Sequence, residues 1–106
     1  MALQRAGLPA PQLQFEVHGR LGEVVARTDF AWEDSRTVGE FDGKVKYGRL
    51  SQAGETAGDV IYREKVREDM LRDLGWEVVR WTWADLSHPS EIAGRLSRAF
   101  ARGTRR

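Results

Sequence analysis

The sequence predicts an α/β domain built on a mixed α+β sheet, with elements in the order β-β-β-α-β-α. Three observations carry this. Three stretches in the N-terminal half have strand-like patterning and are joined by tight polar turns. A helix-spaced stripe follows a glycine-rich loop. A last strand pattern then runs into an arginine-rich helix. At 106 residues the chain is long enough for one core and one domain.

Residues 1–11 hold Pro9 and Pro11 and little pattern, and read as a lead-in segment. In Gln12 to His18, Leu13, Phe15 and Val17 alternate with polar neighbours, which marks a half-buried strand. Gly19 and Gly22 flank a turn, because glycine takes positive φ without steric cost. Glu23 to Trp32 is the second strand, Glu33 to Arg36 a polar turn, and Thr37 to Tyr47 the third strand. Short connections make these three an antiparallel meander. Residues 48–58 contain Gly48, Gly54 and Gly58 and read as a flexible loop. Asp59 is placed to cap the next helix, in which Tyr62, Val66, Met70 and Leu74, with Leu71 beside them, form the expected buried stripe. Gly75 ends it. Trp76 to Trp83 is the fourth strand, with Val79, Trp81 and Trp83 on one face and Val78, Arg80 and Thr82 on the other. A strand–helix–strand unit makes strands three and four parallel. Pro89 sits at the start of the last helix, whose buried stripe is Ile92, Leu96, Ala99 and Phe100. Residues 103–106 form a basic tail.

Composition narrows the function classes. Without cysteine there is no disulfide framework, thiolate metal site or thiol nucleophile. No apolar run approaches a membrane span and no signal-peptide core is present, so a soluble cytoplasmic protein without membrane partners is expected. A net charge of +1 rules out a uniformly basic binder. The distribution is uneven, however: no acid follows Glu91, while Arg95, Arg98, Arg102, Arg105 and Arg106 do. Arg95, Arg98 and Arg102 on the last helix, with Arg63 and Arg67 on the first, are the candidate nucleic-acid contacts. The alternative is a solvated helix face with surface ion pairs. His18 and His88 lack partners in sequence, and Trp81 and Trp83 read as core.

The third strand carries the chemistry. Glu40, Asp42, Lys44 and Lys46 share one face by period 2, and Val38 and Phe41 read as buried. A register centred on the Glu33–Arg36 turn sets Asp29 opposite Glu40. Carboxylates at Asp29, Glu40 and Asp42 are hard oxygen donors of the kind Mg²⁺ or Mn²⁺ selects. A metal held there would polarise a phosphodiester and lower the pKa of an attacking water, and Lys44 or Lys46 would stabilise the developing charge. Cross-strand ion pairing on an exposed face is the competing explanation. Four ionisable side chains in a row mid-sheet are costly unless the face is a site.

Asp29-Phe30, Glu40-Phe41-Asp42-Gly43 and Gly75-Trp76-Glu77-Val78-Val79-Arg80, over about Pro9 to Arg102, resemble the endonuclease-like domains related to very-short-patch repair nucleases, within the PD-(D/E)XK (restriction-endonuclease-like) superfamily. Similar domains end actinobacterial proteins whose N-terminal part resembles the AbiEi antitoxin of toxin–antitoxin systems. The resemblance implies a restriction-endonuclease-like core, a DNA substrate, a Mg²⁺- or Mn²⁺-dependent hydrolase, and an N-terminal DNA-binding domain in a longer parent. It makes Asp29 the first acid. The second motif is laid on either as Asp42-Gly43-Lys44, or with Glu40 as the second acid and Lys46 where close relatives carry histidine. The helical acid of many members has no counterpart in Met1–Leu8. Two functions follow: a metal-dependent endonuclease, or a non-catalytic nuclease-fold module for DNA binding or protein interaction.

Overall fold

The computed structural model describes residues 7–42 and 54–105. Its elements are β1 (Gln12–His18), β2 (Val24–Trp32), a 3-10 turn (Glu33–Ser35), β3 (Thr37–Phe41), α1 (Ala57–Asp73), β4 (Glu77–Trp81), a second 3-10 turn (Ala84–Ser87) and α2 (Pro89–Thr104). The sheet runs β1-β2-β3-β4, antiparallel in its first two pairings and parallel between β3 and β4. The expected mixed sheet and order of strands and helices are present.

Each face of the sheet has its own core. On one face Trp32, Val79 and Trp81 pack on Ile92, Leu96 and Ala99 of α2, with Phe30, Phe41 and Phe100 at the margin. This is the α2 stripe expected from periodicity. On the other face Val17, Ala26, Ala31, Val38 and Trp76 pack on Leu71 of α1. β3 serves both cores by alternation. Val38 belongs to the α1 side, while Gly39 lies so close to the Trp81 and Trp32 rings that a Cβ would approach Trp81 to 2.7 Å.

Three local expectations are corrected. The cap of α1 is Thr56 rather than Asp59. The Thr56 hydroxyl accepts the Asp59 N–H at 3.1 Å and the Asp59 carboxylate accepts the Thr56 N–H at 2.9 Å, a reciprocal capping box. These bonds hold the Asp59 carboxyl below its ordinary pKa. β4 stops at Trp81, because the Asp85 carboxylate accepts the Thr82 N–H at 2.8 Å and turns the chain. Trp83 therefore leaves the core face, 62% exposed, and packs edge-to-face with Phe41, ring centroids 4.8 Å apart.

The third correction bears on function. Val60 and Leu71 are the buried apolar residues of α1, whereas Tyr62 is 71% and Val66 49% exposed. Leu71 and Leu74 of the expected stripe do pack on the sheet, but over the middle of the helix Glu64, Arg67 and Glu68 reach toward it in place of Tyr62 and Val66. The face beneath its middle carries Glu40 and Arg80, paired in register across β3 and β4. Leaving a Val or Tyr wet forgoes about 1.5–3 kcal/mol. Burying a carboxylate with no counter-charge costs more than that, so the charges set the rotation.

Candidate functional site: an acidic row closed by arginines

The sequence row begins where β3 ends. Glu40 is 4% exposed, and its Oε1 accepts from Arg67 Nη1 at 2.6 Å. The other end of the same guanidinium donates to the Arg27 carbonyl at 2.8 Å, tying α1 to β2. Asp42 follows on the α1 side and receives Arg80 Nη1 at 3.3 and 3.4 Å. Its backbone N–H donates to the Trp81 carbonyl at 2.8 Å, which continues the β3–β4 association past the strand end.

Arg80 is the hub. Besides Asp42 it meets Glu64 at 3.3 Å, Glu68 at 3.0 Å and Glu40 at 3.7 Å. Four carboxylates thus surround one guanidinium from β4. Arg67 serves Glu40 and lies 3.9 Å from Glu64, and Arg72 serves the outer oxygen of Glu68. Burial works against the charge on Arg80, but Glu40, Asp42, Glu64 and Glu68 outweigh it and hold its pKa above the ordinary arginine value. No buried side-chain nitrogen or oxygen among the described residues lacks a hydrogen-bond partner.

Asp29 arrives as its register requires. The pairs Phe30–Gly39, Ala31–Val38 and Trp32–Thr37, continued by one step, set Asp29 opposite Glu40. Its Oδ2 accepts the Phe41 N–H at 2.9 Å, the amide between the two acids of the row. The three residues named as metal ligands therefore occupy neighbouring positions at the end of β3, each carboxylate with a different principal partner: the Phe41 N–H, Arg67 and Arg80. Among the described residues, however, no three acid or histidine side chains form a metal-binding group. Lys44 and Lys46, the candidate catalytic lysines, lie outside the described residues.

The candidate nucleic-acid contacts separate into two sets. Arg67 is turned inward on Glu40, and Arg63 pairs with Glu55 at 3.3 Å. Arg95, Arg98 and Arg102 do come together: with Arg80, Val78 and Val79 they line a shallow cleft of about 180 Å³ along β4. Arg95 Nη1 donates to the Arg80 carbonyl at 2.8 Å and lies 3.5 Å from Asp85. Arg102 donates to Glu77, itself 3% exposed, at 2.7 Å. Arg98 has no acidic partner among the described residues, and its guanidinium lies over Gly94. Arg72 also donates to the Val78 carbonyl at 3.3 Å, so guanidiniums cover two carbonyls of this sheet-edge strand and block pairing with another strand.

Sequence reasoning missed the central part of Arg80, together with Glu64 and Glu68. A signal was available. Arg80 alternates away from Val79 and Trp81, and a parallel β3–β4 pairing brings that face beside Glu40.

No helix among the described residues is long and apolar enough to cross a membrane. No family model matches the chain. Two curated relatives, both uncharacterized proteins of Mycobacterium tuberculosis (strains CDC 1551 and H37Rv), are each 35% identical to it over 97 residues. The alignment covers 91% of this chain and 32% of each relative, so the chain spans about a third of their length. No solved structure matches.

Proposed function

We propose that this chain is a DNA-binding domain of the restriction-endonuclease-like kind, which grips the phosphate backbone along α2 and the outer edge of β4. The observation that carries the reading is the cleft in which Arg95, Arg98 and Arg102 converge, with Arg98 unopposed by acid among the described residues. Their spacing of three and four residues sets them in one stripe on α2; Asp85 and Glu77 offset Arg95 and Arg102, and no acid later in the chain than Glu91 adds to them. Guanidiniums suit phosphate because their planar fork donates two parallel hydrogen bonds. A mixed sheet with a helix on each face is the framework such a domain uses. The relatives are about three times as long as the matched region, which leaves room for the further, N-terminal DNA-binding domain that the sequence resemblance implies.

A second reading, metal-dependent endonuclease, is favoured by the register that sets Asp29 opposite Glu40, with Asp42 next on the same face and the Asp29 carboxylate on the Phe41 amide between them. The donor chemistry suits Mg²⁺ or Mn²⁺. The arrangement does not, because the oxygens of the row already serve Arg67, Arg80 and a backbone N–H.

One experiment weighs both. Binding of a labelled duplex is measured across salt concentrations, with plasmid nicking followed in Mg²⁺ or Mn²⁺. Affinity should fall linearly on a log–log salt plot, by about 0.9 per phosphate contact. Arg98→Ala should flatten that slope by about one contact and weaken all sequences alike. Binding that ignores salt, or that Arg95→Ala and Arg98→Ala leave intact, ends the first reading. Nicking that is absent in every metal, or that survives Asp29→Ala and Asp42→Ala, ends the second.

A further inference from the structure

The acidic row and the chemistry expected of it disagree, and the disagreement has a single centre. We propose that Arg80 is the resident cation of the row: its guanidinium fills the position among Glu40, Asp42, Glu64 and Glu68 that a divalent ion would need, and excludes that ion while it stays there.

The geometry is that of a cation held from several sides. Three nitrogens of one side chain reach four carboxylates, two on α1 and two at the end of β3, at 3.0 Å to Glu68, 3.3 Å to Asp42 and Glu64, and 3.7 Å to Glu40. A Mg²⁺ ion requires oxygens at about 2.0–2.1 Å and retains several waters. An ion central to the four carboxylates would have to stand where the guanidinium now stands. The charges say the same. With Arg67 counted, the four acids and two arginines sum to −2, and without Arg80 to −3. Removing Arg80 leaves a partly buried carboxylate cluster whose nearest remedy is a small multivalent cation.

Arg80 is fixed by more than the acids. It lies in register opposite Glu40 on the neighbouring strand, and its carbonyl accepts from Arg95 of α2. The cation is thus placed by the sheet itself, whereas Arg72 reaches Glu68 only from the rim and is about half exposed. Occupation of the row by Arg80 does not require DNA binding along α2, so either can hold without the other.

Metal binding without DNA tests it. Wild type, Arg80→Met, Arg80→Met/Asp42→Asn and Arg72→Met are titrated with Mn²⁺, with free ion followed by electron paramagnetic resonance and stability by thermal unfolding, against NaCl of equal ionic strength. Wild type and Arg72→Met should show no saturable binding at millimolar Mn²⁺. Arg80→Met should gain a saturable site, with Tm rising roughly 10 °C when Mn²⁺ is near a hundredfold over Kd. The double variant should lose both responses. If Arg80→Met is unfolded without metal, folding rescued by Mn²⁺ but not by NaCl supports the proposal, and no rescue overturns it. Saturable Mn²⁺ binding by wild type that Asp42→Asn abolishes would show ion and guanidinium together, and overturn it. A folded Arg80→Met that binds no Mn²⁺ would do so as well.

Discussion

Arg67→Met is expected to lower Tm by roughly 10–20 °C, on the basis of a loss of about 2–4 kcal/mol in a domain of this size. The arginine does two things that methionine cannot. It supplies the 2.6 Å charge-assisted bond to Glu40, and it donates to the Arg27 carbonyl on the far side of the β2–β3 pairing. Methionine retains the packing volume, so the loss reads the charge. Glu40 would be left 4% exposed with only Arg80 for company, at 3.7 Å. Arg80 keeps the loss below that of a wholly orphaned carboxylate. Adding Glu40→Met should recover part of the stability, because removing both members of a buried pair costs far less than removing one. The check is thermal and urea unfolding of both single variants and the double, read as a thermodynamic cycle. A single variant within about 0.5 kcal/mol of wild type would mean that the pair contributes nothing.

That pair also marks where the sequence ceases to be readable one element at a time. Strand periodicity located β1 through β4, and helical spacing in α2 matched its buried residues, because those elements face apolar neighbours. α1 met the same test only toward its C-terminal end, where Leu71 is buried and Leu74 packs beside it. Its tidy stripe of Tyr62 and Val66 points outward, since the rotation of the helix is decided by Glu40 and Arg80 on two strands distant in sequence. Spacing within a helix carries no information about charge on the sheet beneath it. Asp29 shows the opposite case. A turn of fixed length sets the register, and the register brings Asp29 to the end of the row. The register of the acids was therefore legible, but their neutralisation was not, because it depends on Arg67 and Arg80 arriving from elements read separately.

Gly103→Ala is expected to cost about 3 kcal/mol or more, the upper range for overpacking, because the obstacle is backbone. A Cβ at this position would overlap the Ser35 carbonyl oxygen, with the Ser35 carbonyl carbon 2.8 Å away. A side chain could rotate aside, but a carbonyl in the Glu33–Ser35 turn cannot. The turn is fixed in its own right: Arg36 closes it with φ of 48°, donates through its guanidinium to the Leu74 carbonyl at 2.8 Å, and accepts the Glu77 N–H on its own carbonyl at 2.7 Å. To admit the methyl group, α2 must lift from the turn and strain its seat on Trp32, Val79 and Trp81. Gly94→Ala, on the same helix, should behave oppositely. Its Cβ would meet only the far end of the Arg98 side chain, at 3.3 Å, so the helix-propensity gain of roughly 1 kcal/mol should survive. Chemical unfolding of the two variants side by side separates a steric requirement at one glycine from a general effect of glycine in α2. Equal and small shifts at both positions would mean that α2 is not seated on the turn.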